Sequence, residues 1–202
     1  NGQVPLKPFC QAMKRLREEC GLTVAVHTGL VDEKLADGLA AAGVDRAMMD
    51  VMGHSDTIRD VYHLDASPED FENSLRLMAQ RGLNVTPHVV IGLHFGALLG
   101  EGIALELISR HPVHSLVLVV INPLAGTPME RVIPPRPLEI GNVFAAARCL
   151  LPATPIILGC ARPGGRHKFE TDSYALEAGL NGIAYPAEGI VSLAAEKGLK
   201  AM

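Results

Sequence analysis

The chain has 202 residues, 48% of them hydrophobic and 20% charged, with a formal net charge of −4 at pH 7. That balance suits one α/β domain with a real core, argues against disorder, and leaves no Lys/Arg patch interleaved with aromatics for nucleic acid. No apolar run approaches the roughly 20 residues of a membrane span, and NGQVPLKPFC has no signal-type apolar region, so a cytoplasmic protein with small-molecule partners is expected.

The first expected helix carries Phe9, Met13 and Leu16 on its apolar side. Cys10 and Cys20 fall on the same helix and, with Cys149, read as core thiols, since no CxxC or CxxxCxxC occurs anywhere. A punctuation mark then recurs: a helix ends in Gly, an apolar and a polar residue follow, and a strand begins. The copies are ECGLTVAVHTG, AAGVDRAMMDV, AQRGLNVTPHVV and EAGLNGIAYPA, with Gly21, Gly43, Gly82 and Gly179 where a helix end needs left-handed backbone. Strands are expected at 22–28, 46–52, 84–92, 115–122, 155–162 and 182–186. Asp32 should cap the helix bearing Leu35 and Leu39, and Ser67-Pro68-Glu69-Asp70 reads as a capped helix start ahead of Phe71, Leu75 and Met78. After VTPHVVIGLHFGALLGE, Gly100 to Gly102 should open a helix with Ile103, Leu107 and Ile108 on one face.

Strict alternation of strand and helix with right-handed crossovers implies a parallel sheet, and the apolar strands favour barrel-like curvature. The expected fold is α/β: an incomplete (β/α) TIM-type barrel of about six parallel strands with outer helices. Residues 1–202 would be a single domain, its first two β/α units lying upstream of Asn1.

Barrel enzymes gather chemistry at the carboxyl ends of their strands. Those ends hold His27-Thr28-Gly29, Asp50, Gly92 to His94, Asn122-Pro123, Cys160 to Arg162, and Tyr185-Pro186 with Glu188. His88 and His94 are separated by roughly 20 Å of extended chain, which rules out one metal bound by both. His94, in the loop, is then the functional member and His88 an interior histidine. Cys160 and Arg162 share a strand parity with Ile156 and Leu158, expected on the inner face. The Arg162 guanidinium needs an anionic partner, either Asp50 or Glu188 or a carboxylate, sulfur or cluster on the ligand side. Asp50 could accept hydrogen bonds from ribose hydroxyls or cap the next turn. In NPLAGTPM, Gly126 permits close backbone approach and Thr127 could bond a ligand or its own turn.

At these residues the chain resembles biotin synthase and its relatives in the radical S-adenosylmethionine superfamily. VVIGLHFGALLGE resembles the adenine motif of the fifth barrel strand, which implies adenine-facing roles for Val90 and Gly92, with His94 beside them. AMMD resembles the fourth strand, whose carboxylate holds the ribose, implying that role for Asp50. INPLAGTPM resembles the sixth, implying that Asn122 and Gly126 border adenine. LGCARP resembles the seventh, with Arg162 or Cys160 as ligands of an auxiliary iron–sulfur cluster, and AGLNGIAYP resembles the eighth. Within the superfamily, the chain resembles the group of biotin-synthase homologues that includes the two-protein lipoyl synthase of archaea and anaerobic bacteria.

The resemblance implies S-adenosylmethionine and a [4Fe–4S] cluster as cofactors, hydrogen abstraction by a deoxyadenosyl radical, and sulfur insertion. Cys160, Arg162 and His27 are the candidate catalytic residues. A small-molecule or lipoyl-domain-bound substrate is implied, together with a partner radical subunit and an electron donor such as ferredoxin or flavodoxin. The pattern also departs from the family: His88 replaces the first glycine of the adenine motif, Phe95 stands where its acid should be, and Glu101 is placed to substitute for that acid. No metal ligand set for the primary cluster lies in the chain, so the chain alone is expected to lack turnover. Two other readings stay open: a cluster-independent aldolase or metal hydrolase using His27, His94 and Glu188, and a non-catalytic partner subunit.

Overall fold

The computed structural model describes residues 4–199; the first three residues of the NGQVPL segment lie outside that range. After a short turn of helix, the elements are α1 (Cys10–Cys20), β1 (Ala25–Thr28), α2 (Glu33–Ala41), β2 (Arg46–Asp50), α3 (Ser55–Asp60), α4 (Pro68–Gln80) and β3 (Val85–Ile91). They continue as α5 (Glu101–Ser109), β4 (Leu116–Val120), α6 (Pro137–Leu150), β5 (Ile156–Leu158), α7 (Gly165–Glu177), β6 (Gly182–Ile183) and α8 (Ile190–Glu196). The six strands are all parallel and lie in chain order, each hydrogen-bonded to the next. Among the described residues this is the β/α alternation of a TIM-type barrel, in six parallel strands. Among the described residues no helix is long and apolar enough to cross a membrane.

Start signals act as their chemistry requires. The Asp32 carboxylate accepts from Leu35 N at 2.7 Å, and Ser67 donates to Asp70 Oδ2 from both its backbone N (2.8 Å) and its hydroxyl (3.1 Å). The four glycines of the recurring punctuation all take positive φ, between 66° and 71°.

Register divides the sheet into two faces. Asp50 stands opposite His88, and His88 opposite Val117, so these three point the same way; Met48 and Thr86 pair on that face, with His27 beside Met48. Val90, Val119 and Ile157 share that parity, and this face looks into the lumen. The other parity holds Val26, Met49, Val89, Ile91, Leu116, Leu118, Ile156 and Leu158, all buried. Against it pack Leu35 and Leu39 of α2, Leu75 and Met78 of α4, Leu105 and Ile108 of α5, and Phe144 of α6.

Three expectations are corrected here. Ile156 and Leu158 lie under the helices, not on the inner face, because β5 pairs with β4 so that they stand opposite Leu116 and Leu118. Ile103 is 47% exposed, and α5 buries Ala104, Leu105, Leu107 and Ile108 instead. The thiols are not core: Cys20 and Cys149 are exposed and Cys10 only half-buried, since α1 buries none of its residues and Phe9 and Leu16 stay in solvent.

The two faces predict unequal costs for neighbouring residues. Leu158→Ala should lose about 2–5 kcal/mol, whereas Ile157→Ala should lose less than half as much in urea unfolding. Equal losses would mean that the face assignment is wrong.

Candidate functional site

The lumen's polar groups converge on three adjacent strands. His27 (β1), Asp50 (β2) and His88 (β3) each offer a ligand atom, and those atoms lie within 4.8 Å of one another. His27 Nε2 stands 3.6 Å from Asp50 Oδ1, and the two imidazoles are 5.4 Å apart between centroids. Parallel register makes this possible: Asp50 and His88 are direct neighbours, while His27 sits level with Met48, two residues before Asp50.

Each member is held by a further group. Tyr62, just after α3, donates its hydroxyl to Asp50 Oδ2 at 2.7 Å. Burial, reinforced by the Asp50 charge, pushes the Tyr62 phenol well above its usual range, so it is the protonated donor. His88 Nδ1 lies 3.2 Å from the Thr86 carbonyl oxygen. A carbonyl only accepts, so Nδ1 carries the proton and Nε2 keeps its lone pair. Burial is also the main cause lowering the His88 pKa, with the Asp50 charge opposing it and His27 adding to it, which favours the neutral ring.

Above this cluster the strand ends are joined by close backbone contact. A side chain at Gly53 would run into Gly100 O, and one at Gly100 would meet the Gly53 and His54 backbone at 2.9 Å. Glu101, buried at the start of α5, accepts from Gly92 N at 2.8 Å, while burial holds its carboxyl above the usual range. The Glu101 carboxylate thus reaches back across the loop to the end of β3. Val51, Met52, Val90, Leu93 and Leu99 line a small crevice here.

The expected site residues do not all come together. Asp50, His27 and Val90 face the lumen together; the Asp50 carboxylate is oriented by Tyr62 and His27 and does not cap the next turn. Gly92 is buried under Pro135 and Ile121, whose atoms occupy the space a side chain would need, so it presents no bare wall to a ligand. His94 turns to Thr57, with Nδ1 3.4 Å from its hydroxyl, and Glu188 is exposed in the β6–α8 loop. Neither joins His27. The member that sequence reasoning set aside is His88; its parity with Asp50 across one ladder was the signal that could have found it.

The remaining candidates lie elsewhere. Asn122 and Gly126 are exposed in the segment after β4, where Gly126 N donates to Glu130 Oε2 at 3.0 Å and Thr127 closes its own turn on Leu124 O at 2.7 Å. Cys160 is exposed. Arg162 is buried and pairs with neither Asp50 nor Glu188: its Nε and Nη2 donate to Asp172 of α7 at 2.6 and 3.0 Å. Its Nη1 donates to the Gly159 carbonyl, and Nη2 also to the carbonyls of Ala184 and Tyr185. A guanidinium so engaged is not offered to a cluster or substrate, and Arg162 instead ties β5, β6 and α7 together.

Removing one partner leaves a buried charge, so Asp172→Ala should cost about 3–5 kcal/mol. The double variant Arg162→Met/Asp172→Leu should recover much of that loss in thermal or urea unfolding.

No family model matches the chain. It is 30% identical to the biotin synthase of Geotalea daltonii over 183 residues, covering 88% of this chain and 53% of that protein. To the biotin synthase of Clostridium acetobutylicum it is 26% identical, covering 86% and 52%. The chain spans about half the length of the curated relatives it matches. Among solved structures, methylornithine synthase superposes with a TM-score of 0.61 at 16% identity, covering 96% of this chain and 63% of that one. The HMG-CoA lyase of Brucella melitensis gives 0.64 at 14% identity, with 96% and 73% covered. The fold is therefore that of the TIM-type barrels, and in sequence the chain is distantly similar to biotin synthases over most of its length.

Proposed function

We propose that the lumen is an S-adenosylmethionine-binding cavity of a radical enzyme of the biotin and lipoyl synthase type. The observation that carries this reading is the match to biotin synthases over 88% of the chain. So broad a match takes in β2 and β3, whose lumen-facing ends hold Asp50 and Val90. In enzymes of that type, S-adenosylmethionine supplies the deoxyadenosyl radical that takes hydrogen from an unactivated C–H bond before sulfur insertion.

The residues present suit the nucleoside portion. Val90 would form the aliphatic wall for adenine, and Asp50, one oxygen held by Tyr62, would offer the other to the ribose. Met48, Val117 and Val119 share the face and would keep water from a reacting carbon, which is positioning work. Cys160, exposed beyond β5, is the candidate sulfur carrier. A [4Fe–4S] cluster does not fit the side chains described. Cys10 and Cys20 begin and end α1, Cys149 lies near the end of α6, and Cys160 follows β5, so no step of the chemistry is assigned to a cluster here.

Calorimetric titration with S-adenosylhomocysteine tests the reading. One saturable site is expected, weakened about tenfold, or about 1.4 kcal/mol, in Val90→Asp. Heats equal to buffer dilution would overturn it.

A further inference from the structure

We infer that His27, Asp50 and His88 form a mononuclear site for a divalent transition-metal cation on the lumen face. The inference goes beyond the function proposed above and does not rest on it.

Three observations carry it. The ligand atoms lie within 4.8 Å of one another, and His27 Nε2 and Asp50 Oδ1 already stand at 3.6 Å. Around a tetrahedral cation with bonds of roughly 2.0–2.2 Å, ligand atoms stand about 3.4 Å apart, so small rotations close the set. His27 can make them, its side chain being 48% exposed.

The donors are also pre-oriented. The Thr86 carbonyl fixes the proton of His88 on Nδ1 and leaves Nε2 to ligate, and Tyr62 holds Asp50 by Oδ2 with Oδ1 towards His27. A carbonyl behind a histidine and a hydroxyl behind a carboxylate are the outer partners that metal ligands use.

The charge is moreover uncompensated. Asp50 has no Lys or Arg partner among the described residues, and its ionic neighbour is a histidine. Two imidazoles and one carboxylate suit zinc, iron(II) or cobalt(II) over magnesium or calcium, which take oxygen ligands. Three protein ligands leave a position open to the lumen for water or an oxygen donor of a small ligand. Cation and ribose would use the same oxygen of Asp50, so the cation belongs to the nucleotide-free state.

The test uses the whole chain, freed of metal by chelation and titrated with Zn²⁺ in the absence of nucleotide. One equivalent should bind, and Co²⁺ should give the visible ligand-field bands of a low-coordinate nitrogen and oxygen site. His27→Ala and Asp50→Asn, with circular dichroism confirming the fold, should each weaken binding about 100-fold or more, and Tyr62→Phe about tenfold. His114→Ala, at the opposite end of the sheet beside Arg46, should bind as the parent does. Absence of stoichiometric binding, equal binding by His27→Ala and Asp50→Asn, or equal loss in His114→Ala would overturn the site. Because the metal is scored without nucleotide, its failure and that of S-adenosylhomocysteine binding are separate results.

Discussion

Alternation of side chains across a parallel sheet is the constraint on which everything else in this molecule depends. One parity of each strand must lie under the helices, and the residues given to it are buried and, Thr28 apart, apolar from Val26 to Leu158. Only the other parity is free to vary in chemistry. That freedom is spent unevenly: the polar members Asp50 and His88, with His27 beside them, fall on the first three strands, while β4 and β5 contribute Val117, Val119 and Ile157. The lumen therefore has a polar side and an apolar side, set by position along one ladder.

A second layer of order comes from groups that hold the strand ends in place. Glu101 reaches back to Gly92, and Arg162 gathers Asp172 with three carbonyls from the ends of β5 and β6. Both are buried ionisable residues, and both spend their hydrogen-bonding capacity on the scaffold. Conversely, Tyr62 and Thr86, which carry no charge, are the groups that orient the residues left open to the lumen.

Much of the architecture was legible in the sequence because it is written in local signals. Glycine after each helix, Asp32 and Ser67 before the next, and β-branched runs between them are read over a few residues, and the six strands follow. The lumen was less legible because it depends on register between strands distant in the chain. Nothing local says that Asp50 stands beside His88, so a histidine in an apolar strand reads as packing. Arg162 failed for a related reason: its parity was counted along a strand that stops at Leu158, four residues earlier. Asp172, its partner, sits mid-helix without any motif to mark it. Strand-end reading supplied Asp50 and the resemblance Val90, which do face the lumen, while the adenine role that the resemblance gave Gly92 meets Pro135, which covers it.

The contact between Gly53 and Gly100 has a mechanical consequence. With backbone pressed on backbone and no side chains to slide, the loops after β2 and β3 cannot part without breaking that seam, so they behave as one rigid lip. The stretch between β4 and α6 is tied to the same lip where Pro135 and the Ile133 backbone press on Gly92 and Gly96, so adaptation to differently shaped ligands falls to the side chains it leaves exposed. There Leu124 and Ile133 are 60% and 84% exposed, apolar surface available to fold onto whatever enters. Selectivity by shape would reside in that stretch, leaving the polar strand ends free to serve the part of the ligand that does not change.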